Sequence, residues 1–280
     1  KMKASVLDLE NLIQGFKLSC QTEGLSPKTT EWYISFVSRF VRFLQSRDFP
    51  TNLESIRKAH IRDFIRYLQV EARTPYSDKP LSPATVQGYV RSLKAFFAWT
   101  EKEEYSDGSI MRKIPVPKAP VKIVNTFTNE QFIKLVELCQ RDNGYGNRNL
   151  AILFLMLDSG LRVSECRDIQ LNDVDLENGS IRIRRGKGGK ERIIPIGSLV
   201  QKTLWRYMNH ARPQPLTTQV TSLFLSDRGL SLTKSGIQQI VRRYGKRAGI
   251  SGVRCSPHTF RHTFAKNYLL NGGDIFSLQK

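Results

Sequence analysis

A proline-rich stretch near the middle of the chain limits the possible folds more than any other feature. Residues 114–120 read Ile-Pro-Val-Pro-Lys-Ala-Pro, and no apolar period runs through the surrounding residues 107–125. Proline lacks the backbone N–H group that helices and central strands use, so neither structure can continue through this stretch. We therefore predict a semi-rigid linker over residues 107–125. At 280 residues, the chain is long enough to form a domain on each side of it.

Four segments before the linker carry apolar residues at helical spacing, and two of them begin with Ser-Pro, at Ser26 and Ser82. Serine followed by proline is typical of a helix start, since the serine side chain caps the helix and proline fits its first turn. Residues 1–106 are thus predicted to form a four-helix domain with its aromatic residues mostly in the core. Its polar faces carry basic residues that could lie along a duplex backbone: Lys28, Arg39, Arg42, Arg91 and Lys94.

The chain after the linker mixes helical and strand patterns. Apolar and polar residues alternate from Ile181 to Arg184, and an apolar run returns from Arg192 to Ile196. The glycine- and lysine-rich turn between them, residues 186–190, predicts a β-hairpin with a basic tip. A turn that is merely solvated remains the alternative for this tip. The whole chain is predicted to be multidomain and mainly α, with a mixed α+β domain over residues 126–280 that contains a small antiparallel sheet.

The net charge is +19 and the sequence pI is about 10.0. The excess is uneven, at +6 in residues 1–120 and +13 in residues 121–280, and no acidic residue occurs between Asp227 and Asp274. Such a basic surplus on a folding composition points to a polyanion, most simply double-stranded nucleic acid. A solvated basic face is the alternative. The basic residues that accumulate in the acid-free stretch include Arg242, Arg243, Lys246 and Arg247.

The four cysteines, at positions 20, 139, 166 and 255, have no paired spacing, which fits a reducing, cytoplasmic compartment. No apolar run approaches the length of a membrane span, so we expect no membrane partner. A zinc site could be formed by Cys255, His258 and His262. We do not expect it to form, because the segment offers no fourth ligand and places an arginine among the three. We expect no metal and no cofactor.

The segment from Cys255 to His262 has the character of a phosphate site. Ser256 and Pro257 predict a helix start, which places His258 in the first turn, where free N–H groups favour an anion. Arg261 follows three residues later, on the same helix face. This arrangement predicts a bound phosphate with a proton-transfer group beside it. A helix with solvated side chains is the alternative.

A second arginine follows a buried helical run over residues 148–158 that ends near Gly160. Arg162 comes directly after this glycine, and Glu165 lies three residues further on, where its carboxylate can hold the guanidinium. A surface salt bridge would explain the same pattern.

Three stretches taken in order resemble the tyrosine recombinase/integrase family, particularly its Xer-like bacterial and phage members. They are Gly160-Leu-Arg-Val-Ser-Glu165, Gly186-Lys-Gly-Gly-Lys-Glu-Arg192 and Pro257-His-Thr-Phe-Arg-His262. The resemblance covers nearly the whole chain. It implies a helical, SAM-like core-binding domain, a linker and a catalytic domain.

By this resemblance the chain would cut and rejoin DNA strands through a 3′-phosphotyrosyl intermediate. Arg162 and Arg261 match the paired arginines on the scissile phosphate, Lys187 the hairpin lysine and His258 the first active-site histidine, with Glu165 and His262 in support. The resemblance also implies a homo-tetramer on double-stranded DNA. Together with the residues named above, we expect Arg184 and Lys190 to contact the DNA.

The sequence departs from the family pattern after the last motif. The nucleophilic tyrosine is expected roughly three dozen residues after His258, which falls beyond Lys280. Tyr268, the only tyrosine after the motif, occupies an apolar helix position and is predicted to be core. We therefore expect a C-terminally truncated, monomeric chain that binds DNA without cleaving it. The alternative is a DNA-binding fragment that acts as a regulator. A metal-dependent nuclease would need clustered carboxylates near the basic motifs, which are missing there.

Overall fold

The computed structural model describes residues 7–75, 77–120, 123–184 and 191–279. The chain divides into two compact units, Lys1–Lys122 and Ile123–Lys280, each with a hydrophobic core of its own. Among the described residues, no helix is both long and apolar enough to cross a membrane.

The first unit is helical, as its apolar spacing predicts. Its helices are α1 (Leu9–Thr22), α2 (Pro27–Ser46), α3 (Lys58–Val70) and α4 (Pro83–Lys102), with a short 3-10 turn at Leu53–Ser55. The two predicted Ser-Pro helix starts are confirmed. The Ser26 hydroxyl accepts a hydrogen bond from the Thr29 backbone N–H, and Ser82 does the same for Thr85, each at 3.2 Å.

The core of the first unit is largely aromatic. Phe40, Phe64 and Phe96 are fully buried, and the Phe40 and Phe64 rings meet edge to face with their centroids 5.1 Å apart. One residue that the pattern placed inside lies at the surface instead: Trp32 is 45% exposed. Its ring lies over Gly88, where a Cβ atom would come within 3.0 Å of it.

Part of the predicted linker packs against this core. Met111 and Ile114 are buried in it, and the Gln87 side-chain amide donates a hydrogen bond to the Pro117 carbonyl at 3.1 Å. Prolines exclude regular structure there, but they do not prevent the neighbouring apolar side chains from finding a hydrophobic surface. The domain limits at residues 106 and 126 stay a prediction.

The second unit begins with α5 (Asn129–Gln140), α6 (Gly146–Ser159) and α7 (Val163–Asp168). After the sheet come α8 (Ser198–Arg206), which continues as one π-helical turn over Tyr207–Ala211, and then α9 (Lys234–Arg247), α10 (Pro257–Leu270) and α11 (Ile275–Gln279). Helix α6 is buried nearly all round and packs against α5, α8 and α10, so it forms the centre of this unit. A 3-10 turn at Leu171–Asp173 follows α7.

The sheet has three antiparallel strands in the order β1 (Val174–Asp175), β2 (Ser180–Ile183) and β3 (Arg192–Pro195). The β2–β3 hairpin is as predicted, with Ile181 opposite Ile194 and Ile183 opposite Arg192. Residues 185–190, which include Lys187 and Lys190, lie outside the described residues.

Candidate active site

The first arginine of the site lies at the start of a very short helix. Arg162 precedes α7 with extended backbone angles (φ −69°, ψ 149°), and Glu165 reaches back to it from the first turn. The Glu165 carboxylate accepts a hydrogen bond from the Arg162 backbone N–H and another from its guanidinium, both at 2.8 Å. This capping interaction holds both the backbone and the side chain of Arg162.

A third arginine shares the same carboxylate. Arg192, the first residue of β3, donates to both oxygens of Glu165, at 3.2 and 3.0 Å. The Glu165 side chain is only 2% exposed. Its burial by itself raises the pKa of the carboxyl group, but the hydrogen bonds from Arg192 and Arg162 outweigh that effect and lower the pKa. Glu165 is thus held as a carboxylate.

The second predicted phosphate arginine reaches the same region from α10. The Arg261 guanidinium donates to the Gly160 carbonyl at 2.6 Å, across 101 positions of sequence. Its pKa is lowered, first by burial and then by repulsion from Arg162 and Arg192, partly offset by Glu165. The structure therefore brings Arg261 within electrostatic range of the Arg162–Glu165 pair.

Gly160 ends α6 in the left-handed conformation, with φ 58°, as predicted for a glycine at a helix C-terminus. A Cβ atom here would lie 2.2 Å from the Phe264 ring of α10. Because glycine has no Cβ atom, the Phe264 ring can pack directly on this turn. Helices α6 and α10 therefore lie close enough for Arg261 to reach the Gly160 carbonyl.

His258 lies in the first turn of α10, where Ser256 caps the helix and Pro257 occupies its start. The side chain is exposed overall. Partial desolvation lowers the pKa of His258, and the neighbouring His262, Lys234 and Arg261 lower it further. The lowered pKa favours the neutral imidazole, which is the form that accepts a proton.

The remaining predicted residues are placed less tightly. His262 is exposed and lines an open cavity of about 630 Å³ together with Gln131 and Lys266. Lys187 and Lys190 fall outside the described residues. Tyr268 is half-buried rather than in the core, which corrects the sequence expectation. Its ring packs against Phe264 with centroids 5.9 Å apart at the end of α10, beyond the buried turns of that helix.

Most of the predicted DNA-contacting residues are exposed. Several of them have partners within the protein, among them Lys28, 3.9 Å from Glu31, and Arg247, 4.0 Å from Asp142. Arg39 is half-buried and donates to the Tyr89 hydroxyl at 3.0 Å, and Arg184 pairs with the fully buried Asp173 at 2.7 Å. Lys94 is half-buried as well. Those with exposed side chains are Lys28, Arg42, Arg91, Arg242, Arg243, Lys246 and Arg247.

Sequence reasoning did not assign a role to Arg192, although its position carried a signal. On the paired strands Arg192 stands opposite Ile183, whose side chain is buried, so the strand pattern directs both toward the interior. An arginine on an inward strand position requires an acidic partner, and Glu165 is that partner.

Among the described residues, no group of three or more His, Cys, Asp or Glu side chains could hold a metal ion.

Comparison with known proteins identifies the family. Residues 125–280 match the phage integrase family, and residues 12–107 match the N-terminal SAM-like domain of phage integrases. Tyrosine recombinase XerC of Oceanobacillus iheyensis is 31% identical over 97% of this chain and 87% of its own length. Tyrosine recombinase XerD of Staphylococcus haemolyticus is 32% identical over 97% and 89%.

Solved structures share the fold. A lambda integrase dimer bound to a COC′ core site has a TM-score of 0.74 at 17% identity, covering 97% of this chain and 93% of that one. XerH recombinase bound to a palindromic difH substrate has a TM-score of 0.70 at 21% identity, covering 97% and 76%. The two family matches cover parts of both units. The match over residues 125–280 includes α7, β3 and α10, on which the arginine-rich site is built. The chain belongs to the phage integrase family of tyrosine recombinases.

Proposed function

We propose that this chain binds the scissile phosphate for DNA strand cutting and rejoining, at a site formed by Arg162, Arg261, His258 and Lys187, and that the attacking tyrosine is not one of its 280 residues. The observation that carries the proposal is the pairing of two anchored arginines: Glu165 holds Arg162, and the Gly160 carbonyl holds Arg261. Each anchor leaves further guanidinium N–H groups for a ligand, because arginine has five donors. Two such groups can neutralise the charge that develops on the non-bridging oxygens of a phosphodiester.

Each remaining group has a distinct task in this reaction. A tyrosine hydroxyl attacks the phosphorus, the phosphodiester bond to the deoxyribose oxygen breaks, and the 3′-phosphate becomes attached to the protein. Neutral His258 accepts the tyrosine proton, and Lys187 supplies a proton to the leaving oxygen. The phosphotyrosyl bond retains the energy of the broken linkage, so a second strand can displace the tyrosine without ATP.

Double-stranded DNA is the partner that fits the charge of +19 and the exposed basic residues of α9. Related solved structures support this: one is described as a lambda integrase tetramer bound to a Holliday junction. We propose that both units of this protein contact the duplex, that four copies assemble on DNA, and that the free 280-residue chain is a monomer.

Tyr268 is not our candidate for the nucleophile. It lies ten residues after His258 on the same helix, a rise of about 15 Å. Its ring also covers Gly273, where a Cβ atom would come within 2.2 Å of it. We assign the nucleophile to none of the 280 residues.

The test of the arginine assignment begins with selecting a bound duplex from a random-sequence library. Each phosphate of that duplex is then replaced in turn by a neutral methylphosphonate, and the dissociation constants are measured. We expect one phosphate for each bound copy of the protein to have the largest effect. Its replacement should raise the dissociation constant about tenfold, as expected for the loss of a charged hydrogen bond. Arg162→Ala and Arg261→Ala should abolish the effect at that phosphate alone, whereas Arg141→Ala, at an exposed site on the end of α5, should not. A phosphate effect that survives both active-site variants would refute the assignment.

The nucleophile assignment has a separate test. A duplex nicked beside the phosphate identified above traps any covalent intermediate, because the short cleaved strand diffuses away. We expect no protein–DNA adduct from the 280-residue chain on a denaturing gel. An adduct that Tyr268→Phe removes would show that Tyr268 is the nucleophile.

A further inference from the structure

We infer that Arg192 is a positioning residue of the reaction: its fork fixes the Glu165 carboxylate, which in turn fixes Arg162 for phosphate binding. This inference rests on the proposed function, since it concerns how the phosphate arginine is held. Its observational basis is the hydrogen bonding of a single buried carboxylate.

Glu165 accepts four hydrogen bonds, two at each oxygen. Oε1 accepts from the guanidinium of Arg162 at 2.8 Å and from Arg192 at 3.2 Å, and Oε2 accepts from the Arg162 backbone N–H at 2.8 Å and from Arg192 at 3.0 Å. A carboxylate has about four lone-pair positions. Since all four are used, Glu165 cannot rotate without breaking a bond to one of the two arginines.

Arg192 directs both of its terminal nitrogens at this carboxylate, whereas Arg162 directs only one of them there. Its side chain is 26% exposed, compared with 36% for Arg162. The two arginines therefore have different roles at one carboxylate: Arg192 faces inward and holds it, and Arg162 presents its remaining donors outward.

The position of Arg192 in the sheet adds a connection. It pairs with Ile183 at the last paired position of β2 and β3, and the residues that join the two strands in the sequence include Lys187. This end of the strand pair and the phosphate arginine are thus tied to the same buried group. A displacement of β3 would alter Arg162 through Glu165, although the two arginines are 30 positions apart.

The charge of Glu165 is what makes the coupling measurable. The charged groups facing it are Arg162 from the turn before α7, Arg192 from β3 and Arg261 from α10. The adjoining groove, with a volume of about 430 Å³, is also lined by Arg167, Asp168, Arg182 and Arg184. Losing Arg192 removes two hydrogen bonds and a positive charge while the burial stays, so the pKa of Glu165 must rise.

The first measurement needs no DNA. The carboxyl carbon of Glu165, identified by its loss in Glu165→Gln, is followed by NMR from pH 3 to pH 8 in the wild type and three variants. We expect a higher Glu165 pKa in Arg192→Ala, an intermediate one in Arg192→Lys, which keeps the charge but not the fork, and no change in Lys202→Ala. Lys202 is a suitable control because it is an exposed basic residue of α8 that does not line the groove beside Glu165. An unchanged pKa in Arg192→Ala overturns the inference.

The second measurement uses the selected duplex with and without the methylphosphonate at the critical phosphate. A general loss of structure would weaken both duplexes equally, whereas misplacement of Arg162 reduces the preference for the charged one. We expect the preference of about tenfold to fall to about twofold in Arg192→Ala and to recover partly in Arg192→Lys. A preference that stays at the wild-type value in Arg192→Ala, with both affinities reduced alike, refutes a positioning role.

The two measurements separate this inference from the proposed function. If the wild type shows no phosphate preference, then the phosphate assignment of Arg162 fails whatever Arg192 does. If the wild type and Arg192→Ala both show the preference while Arg162→Ala loses it, then the positioning role fails and the phosphate assignment stands. Should Arg192→Ala fail to fold, Arg192→Gln, whose side chain is polar but shorter and uncharged, carries the same expectations.

Discussion

At the scale of the single residue, the site depends on one buried charge. Glu165 is 2% exposed between Arg162 and Arg192, and its pKa is lowered by their hydrogen bonds. A carboxyl group whose pKa is lowered by folding stabilises the folded state at pH values above its ordinary pKa. This stabilisation is lost as the pH falls through the pKa of the folded state.

We expect Glu165→Gln to lower the free energy of unfolding at pH 7 by about 2–3 kcal/mol, because it leaves two arginines without their anion while both retain some solvent contact. The difference from the wild type should shrink as the pH falls below about 4.3, because the unfolded wild-type chain then binds a proton at this residue that the folded carboxylate, with its lowered pKa, does not yet bind. Urea unfolding at several pH values measures this. Asp168→Asn is the control, since its pair with Arg167 is exposed and should contribute at most about 1 kcal/mol. A difference that is the same at pH 7 and pH 3 would contradict the charge argument.

At the scale of the element, the junction between α6 and α10 positions Arg261. Gly160→Ala is expected to destabilise the protein in two ways. The left-handed φ of 58° costs roughly 1–2 kcal/mol for a residue with a Cβ, and that Cβ would collide with Phe264.

Gly249 provides a matched control, because its φ is 64° and a Cβ there would meet nothing within 4 Å. Both alanine variants bear the backbone cost, but only Gly160→Ala bears the collision, worth roughly 1–3 kcal/mol more. Gly160→Ala should also weaken the preference for a charged phosphate, since the carbonyl that anchors Arg261 moves. Equal destabilisation of the two variants in urea would show that Phe264 yields without cost.

The helix starts and ends of this fold could be read from the sequence because they are local. Ser26 and Ser82 cap helices as predicted, and Gly160 ends one, since each signal lies within a turn of the structure it specifies. The packing of Ile114 and the contact between Arg192 and Glu165 are different. Both contacts are made with segments that are distant in the sequence. A local sequence pattern does not predict which distant segment a side chain will contact.

At the scale of the whole molecule, the charge of +19 predicts binding that weakens steeply with salt, because bound phosphates release counterions. Arg242 and Lys246 lie one turn apart on the exposed face of α9. Replacing both by alanine should reduce the slope of log K against log salt concentration by about 2, one phosphate contact for each. Lys202 and Arg206 have the same spacing and exposure on α8, and the corresponding double variant should leave the slope unchanged. A slope that stays at the wild-type value in the α9 double variant would show that α9 does not lie in the DNA interface.

The structural class of each unit could be predicted from the sequence, but the packing between distant segments could not. The helical first unit and the mixed second unit were predicted from apolar spacing, and the described helices and strands agree with that division. The convergence of Arg162 and Arg261 on one region could be expected only through the family resemblance. Their separation of 99 positions is closed by the packing of α10 on α6, a contact that spacing within either helix does not encode.

The central claim is that Arg162 and Arg261 bind the same phosphate. A crystal structure of the protein on the selected duplex tests it most directly. We predict both guanidinium groups within hydrogen-bond distance of the non-bridging oxygens of one phosphate, with Arg192 still on Glu165. Guanidinium groups that contact different phosphates, or an Arg162 that points away from the DNA, would contradict the claim.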